Sequence, residues 1–146
     1  MTEASPGPAG FAWQQGVALV SGAFYLVLGI TGFFFVRDLG VDVTGQSPDS
    51  LLGIDLNGAQ NFLHILLGVV GLVMATTRPR SRTYGALLAV IGIGLFAFGA
   101  VAAGRPDLNV LDLNWPGNVL HLVTGLLGLA VAAVPLRARS RPASER

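Results

Sequence analysis

The sequence predicts an all-α membrane protein, a four-transmembrane-helix bundle built from two parallel two-helix repeats. Three observations carry this. The 146-residue chain is 52% hydrophobic and only 12% charged, with a mean hydropathy of +0.64; a soluble domain this small needs a charged surface to stay dispersed, so the balance suits lipid. Four runs reach the length of about 20 apolar residues that a helix needs to cross a hydrocarbon core of about 30 Å. Finally, a stretch of 21 residues occurs twice, with ten identities at a constant offset of 57.

The four runs extend from Trp13 to Val36, Gly58 to Thr77, Thr83 to Ala103 and Trp115 to Leu136. Backbone amides in lipid must find partners within the segment, and runs this long without alternation of polar and apolar residues are helices, not barrel strands. Domain organisation follows: a flexible tail over 1–12, a transmembrane domain over 13–136 with repeat one at 13–77 and repeat two at 83–136, and an arginine-rich tail over 137–146. The first run reads as a permanent span and not as a cleaved signal. Its apolar core is too long, MTEASPGPAG has no basic start, and FFFVRD offers no small-residue cleavage site. Trp13 and Trp115 fall at span ends, where amphipathic rings favour the headgroup zone.

Charge placement predicts sidedness. Arg78, Arg80 and Arg82 join Arg137, Arg139, Arg141 and Arg146 on one side against Glu3 and Glu145, a balance of +5. The other side holds Arg37 and Arg105 against six aspartates, a balance of −4. Arginine clusters stay cytoplasmic during insertion, so both termini are expected inside, with the chain a multi-pass protein of the plasma membrane. All nine basic residues are arginine, which points to a GC-rich bacterial source through codon bias.

The repeat aligns DLNGAQNFLHILLGVVGLVMA, from Asp55, with DLNWPGNVLHLVTGLLGLAVA, from Asp112. One hairpin separates the copies, so the second and fourth helices run the same way. Asn57 and Asn114 are expected as helix N-caps, and Pro116 suits a first turn. From there Asn57, Asn61, His64, Gly68, Gly71 and Ala75 follow at spacings of 4, 3, 4, 3 and 4, as do Asn114, Asn118, His121, Gly125, Gly128 and Ala132. Each set forms one helical stripe. Gly68, Gly71, Gly125 and Gly128 are therefore expected at close helix crossings, with Asn61, His64, Asn118 and His121 available to hydrogen bond across them.

His64 and His121 are the chain's two histidines, each seven residues beyond its cap and so about 10 Å along the helix. Three roles suit an ionisable group there. Each imidazole could bond to the asparagine one turn earlier or to a neighbouring helix and set helix register. The pair could hold a b-type haem or another metal as paired axial ligands. They could instead serve a short proton or small-solute path with Asp55 and Asp112 at its mouth. No further metal ligand repeats at that depth, so no metal site and no cofactor is predicted, with haem kept as the alternative.

Other chemistries are excluded. Cysteine is absent, which removes disulfides, thiolate metal sites and cysteine nucleophiles. GIGLFAFG has the wrong spacing and setting for a nucleotide loop, and the aspartates of RDLGVDVTGQSPDS lack the alternate-residue pattern of a calcium loop. No serine-hydrolase or HExxH motif occurs. The arginine segments are too sparse for nucleic acid.

The doubled pattern Asn-x-x-His-x-x-x-Gly-x-x-Gly-Leu, at Asn61, His64, Gly68, Gly71 and Leu72 and again at Asn118, His121, Gly125, Gly128 and Leu129, resembles that of small four-helix bacterial membrane proteins grouped as domain of unknown function 4383, common in actinobacteria. LLGIDLN and NVLDLN are similar too, and the resemblance extends over about Gly16 to Leu136. It implies an integral membrane protein of unestablished function, with no active residues to carry over. Glycine-lined helices enclose little interior, so the expected role is non-enzymatic: a scaffold or accessory subunit, self-associated or within a larger membrane complex, with the lipid bilayer as its medium. The competing expectation is a haem- or metal-binding, or proton- or solute-conducting, protein centred on His64 and His121.

Overall fold

A computed structural model describes residues 10–35, 50–102 and 104–135 of the chain. Within them lie four helices, α1 (Trp13–Phe35), α2 (Gly58–Met74), α3 (Arg78–Ala102) and α4 (Trp115–Ala133), and a two-stranded ladder of β1 (Ser50–Leu51) and β2 (Ile54–Asp55). Helices α1, α3 and α4 are long and apolar enough to cross a membrane. Helix α2 is apolar but has 17 residues, which at 1.5 Å per residue is about 26 Å.

Two boundaries differ from the expected ones. Helix α2 stops at Met74, with the amide of Ala75 closing on Gly71 O at 2.9 Å, instead of running to Thr77. Helix α3 starts at Arg78, not Thr83, so Arg78, Arg80 and Arg82 occupy its first turns. Thr77 acts as the start signal: its carbonyl accepts from Ser81 N at 2.9 Å and its hydroxyl from Arg80 N at 3.4 Å. Pro79 suits a first turn, where an amide has no helical partner to lose. Val36, Ala103, Leu136, residues 1–9 and 137–146 and the connection over 37–49, with Arg37 and three of the aspartates, lie outside the described residues.

Helix α1 packs along α2 and α3 along α4, and the two hairpins meet more sparsely. Polarity is arranged inside out. Val20, Phe34 and Val90 are 69, 83 and 74% exposed, while Asn57, Gln60, Asn61, His64, Ser81, Asn118, His121 and Thr124 are buried. Such a surface belongs in lipid, where burying apolar area between helices gains little and close packing with interhelical hydrogen bonds takes over.

The ladder was not expected. It closes through Leu52 and Gly53, both with positive φ (58° and 79°), the geometry of a two-residue type I′ turn. Its register pairs Ser50 with Asp55 and Leu51 with Ile54. The chain leaving it carries Ile54 and Leu56 into the core and delivers Asn57 to the start of α2.

Candidate functional site

The site begins at the N-termini of α2 and α4, here called the loop end. Asn57 Oδ1 accepts from Gln60 N at 2.9 Å and Asn114 Oδ1 from Gly117 N at 3.0 Å, with identical backbone angles at the two caps (φ −111°, ψ 173°). The other half of each amide reaches across to the opposite hairpin. Asn57 Nδ2 donates to Val110 O at 3.1 Å, in the loop before α4, and Asn114 Nδ2 donates to Gly53 O at 2.8 Å, in the turn before α2. Each cap is therefore also a clasp. Asn114→Ser keeps a capping oxygen but is too short to reach Gly53, and should cost about 1 kcal/mol; Asn114→Ala loses both functions and should cost about 2 kcal/mol, read as paired shifts in Tm.

One turn into each helix the side chains of Asn61 and Asn118 are 0% exposed, and neither amide atom of either has a hydrogen-bond partner. The expected bonds from Asn61 to His64 and from Asn118 to His121 are not made. Instead each amide lies on a glycine of the preceding helix: a Cβ on Gly32 would stand 2.6 Å from Asn61 Cγ, and one on Gly99 would stand 2.6 Å from Asn118 Cγ. The helices cross so closely there that the amide packs on backbone, where Cα–H groups offer only weak polar contact. Farther along, Gly68 lies against the Leu26 backbone, Gly71 against Gly22 and Tyr84, Gly125 against Ile93, and Gly128 against Gly85 and Ala89.

The histidines meet at the junction of the hairpins. Both are 4% exposed, and their ring centroids lie 6.2 Å apart with a 38° tilt. Tyr25 of α1 lies against His64, centroids 5.3 Å apart, so a row of three rings joins α1, α2 and α4. The Tyr25 hydroxyl is 2.8 Å from Thr124 Oγ1, whose own proton is directed to Leu120 O at 2.9 Å; Tyr25 is therefore the donor. Tyr84 of α3 donates to Leu67 O of α2 at 3.2 Å. The two tyrosines are 1% exposed and tie the hairpins at mid-depth.

Beside the rings, a cavity of about 370 Å³ opens between α2 and α3. Its walls are aliphatic, with Leu63, Leu66, Leu67, Leu87 and Ile91 prominent, and Leu111 and Leu113 of the loop before α4 close one end. Gln60, His64, His121, Tyr25 and Thr124 form the polar part of its lining. Gln60 donates through Nε2 to Leu111 O, while its Oε1 is buried without a partner, as is His64 Nδ1. No cluster of three or more acidic or histidine side chains able to hold a metal occurs among the described residues.

Periodicity placed Asn57, Asn61, His64 and their counterparts on one stripe but missed Gln60, Tyr84 and Thr124. Position 124 carried a signal: the repeat has Leu67 in one copy and a hydroxyl in the other. Gln60 aligns with Gly117, so the repeat itself hid it.

The family described as domain of unknown function (DUF4383) matches the chain over residues 15–134. No curated protein and no solved structure matches it.

Proposed function

The chain belongs to the DUF4383 family, and from that footing we propose that it is a plasma-membrane protein of four spans, both termini cytoplasmic, that works without catalysis as a scaffold or accessory subunit of a membrane complex. The observation that carries this reading is the use of the polar stripe. Asn57 and Asn114 cap and clasp, Asn61 and Asn118 pack on glycines, and the tyrosines tie the hairpins, which leaves an apolar outer surface for lipid and neighbouring proteins. The matched caps, and the matched seating of Asn61 and Asn118 on Gly32 and Gly99, support two parallel two-helix repeats. Helix α2 spans as the shortest member, within the range that local thinning accommodates.

The test pairs a C-terminal topology reporter with native mass measurement of the full chain in mild detergent. A cytoplasmic reporter and a particle larger than one chain are expected. An extracytoplasmic reporter, or a chain that is strictly monomeric both when extracted from its native membrane and after purification, overturns the reading.

The facing of His64 and His121 favours a second reading, in which the pair binds a haem or metal or passes protons. Two imidazoles on separate helices are what a bis-histidine iron needs. The cavity beside them, however, is walled by leucines, and no arginine lines it to receive a propionate. An absorption spectrum and a metal assay of purified protein separate the readings: a Soret band lost in His64→Ala and His121→Ala establishes haem, whereas a colourless, metal-free protein whose double histidine variant only melts earlier supports the first.

A further inference from the structure

We infer that Arg78, Arg80 and Arg82, on the first turns of α3, hold the headgroup of an anionic phospholipid of the phosphatidylglycerol type. The inference rests on the membrane reading but not on the sidedness of the termini or on the scaffold role.

The patch stands at the end of the bundle opposite the loop end, where bonds between helices gather the four helix ends. Gln15 Nε2 of α1 donates to Ala75 O and Thr76 O, just after α2, at 3.1 and 3.2 Å. Arg82 Nε of α3 donates to Ala132 O of α4 at 2.6 Å, and Arg78 Nη2 donates to Gly10 O, ahead of α1, at 3.0 Å. Arg78 and Arg80 are exposed and Arg82 is half-buried. Trp13, the first residue of α1, is 52% exposed at this same end, and its amphipathic ring suits the headgroup zone.

Two observations point to an anionic partner. Ala75 and Ala132 are equivalent in the repeat, and the carbonyl of each is capped from the neighbouring helix, one by the neutral Gln15 and the other by Arg82. A glutamine does that work without a charge, so the charge of Arg82 is surplus to the cap. The second observation is the placement of all three arginines at the positive end of the dipole of a 25-residue helix whose first turn holds no acidic residue. Positive charge is unfavourable there. The carboxylates among the described residues, Asp55, Asp107 and Asp112, belong to the loop end, with the length of the helices between them and the arginines.

The donor set selects the head. Each guanidinium carries five N–H groups in a planar fork that matches phosphate oxygens. One bond apiece to Gly10 O, Thr76 Oγ1 and Ala132 O leaves most of these donors for a ligand. A zwitterionic head brings a cation that the same arginines repel, which favours a head of net negative charge. Arginines at a span end, beside an exposed tryptophan, meet such heads laterally within the leaflet.

The test uses the full chain in nanodiscs of phosphatidylcholine, alone or mixed with phosphatidylglycerol, with Tm as the readout. Phosphatidylglycerol should raise the Tm of the wild type by about 3 °C or more. The double variant Arg78→Gln, Arg80→Gln should lose most of that rise, yet be no less stable than the wild type in phosphatidylcholine, since it relieves the dipole. Arg82→Gln, which can cap as Gln15 does, should also diminish the rise. Arg137→Gln with Arg139→Gln, an equal loss of charge from the tail, should leave most of it. Equal Tm of the wild type in the two lipids, or an undiminished rise in the Arg78, Arg80 variant, overturns the assignment. So does a tail variant that loses as much, which would make the attraction diffuse, or inorganic phosphate that stabilises the wild type equally in phosphatidylcholine, which would make the ligand a free anion. Each of these outcomes leaves the reporter and native-mass results untouched.

Discussion

Gly32→Ala and Gly99→Ala should each destabilise the chain by about 3 kcal/mol, the upper part of the overpacking range, and Asn61→Ala or Asn118→Ala should restore most of the loss in the matching double variant. The three atoms nearest to a Cβ built on Gly32 all belong to the Asn61 side chain, and those nearest to one on Gly99 all belong to Asn118. The added methyl and the amide cannot share the space. Both asparagines are fully enclosed, so the amide has no open side to turn toward. Asn61→Ala alone should be mild, since it removes two unpartnered polar atoms together with a packing contact. Equilibrium unfolding of the two singles and the double gives the coupling directly. Additive losses would mean that the backbones, and not the amides, set the approach of α1 to α2 and of α3 to α4.

Gly68→Ala and Gly94→Ala, the same substitution in two apolar helices, should move stability in opposite directions. A Cβ at Gly68 meets the Leu26 backbone, with Cα at 2.7 Å, and backbone can make room only if α1 and α2 separate along their length. The expected loss is about 3 kcal/mol or more, large enough to disrupt the hairpin. Gly94 is exposed and a Cβ there meets nothing within 4 Å. Relief of the glycine helix penalty should then stabilise by up to about 1 kcal/mol. Tm of the two variants in one detergent is the measurement. A comparable loss at both positions would show that glycine content as such, rather than the α1–α2 crossing, supports the fold.

What could be read from sequence divides along a physical line. Features set by one helix alone were legible: the stripe through Asn61, His64, Gly68 and Gly71 is a statement of period, and a buried stripe of that kind has to meet protein. The Asn57 and Asn114 caps belong to the same class, since a cap is a local contact with the amide three residues on. Contacts between hairpins were not legible. Nothing in the run of residues around Gln60 names Leu111 as its partner, and the pairing of Tyr84 with Leu67 O depends on how the hairpins dock. Three arginines resemble a connection and so mask the start of α3, although Thr77 and Pro79 form a sound helix opening. The turn at Leu52 and Gly53 was hidden for another reason: a type I′ turn favours Asn or Gly where leucine stands. A polar stripe suggests hydrogen bonds, but at Gly32 and Gly99 the helices come too near for a donor or acceptor to fit between them.

The link over residues 75–77 joins two helix pairs that each hold most of their packing within themselves. A ribosome releasing this chain would complete one pair before the second exists, so assembly can proceed as two events in series. The same layout makes the link a natural place to interrupt the polypeptide. Two fragments expressed separately would each keep an intact partner helix, and the contacts of Asn57, Gln60 and Asn114 at the far end would supply the means of recognition between the halves.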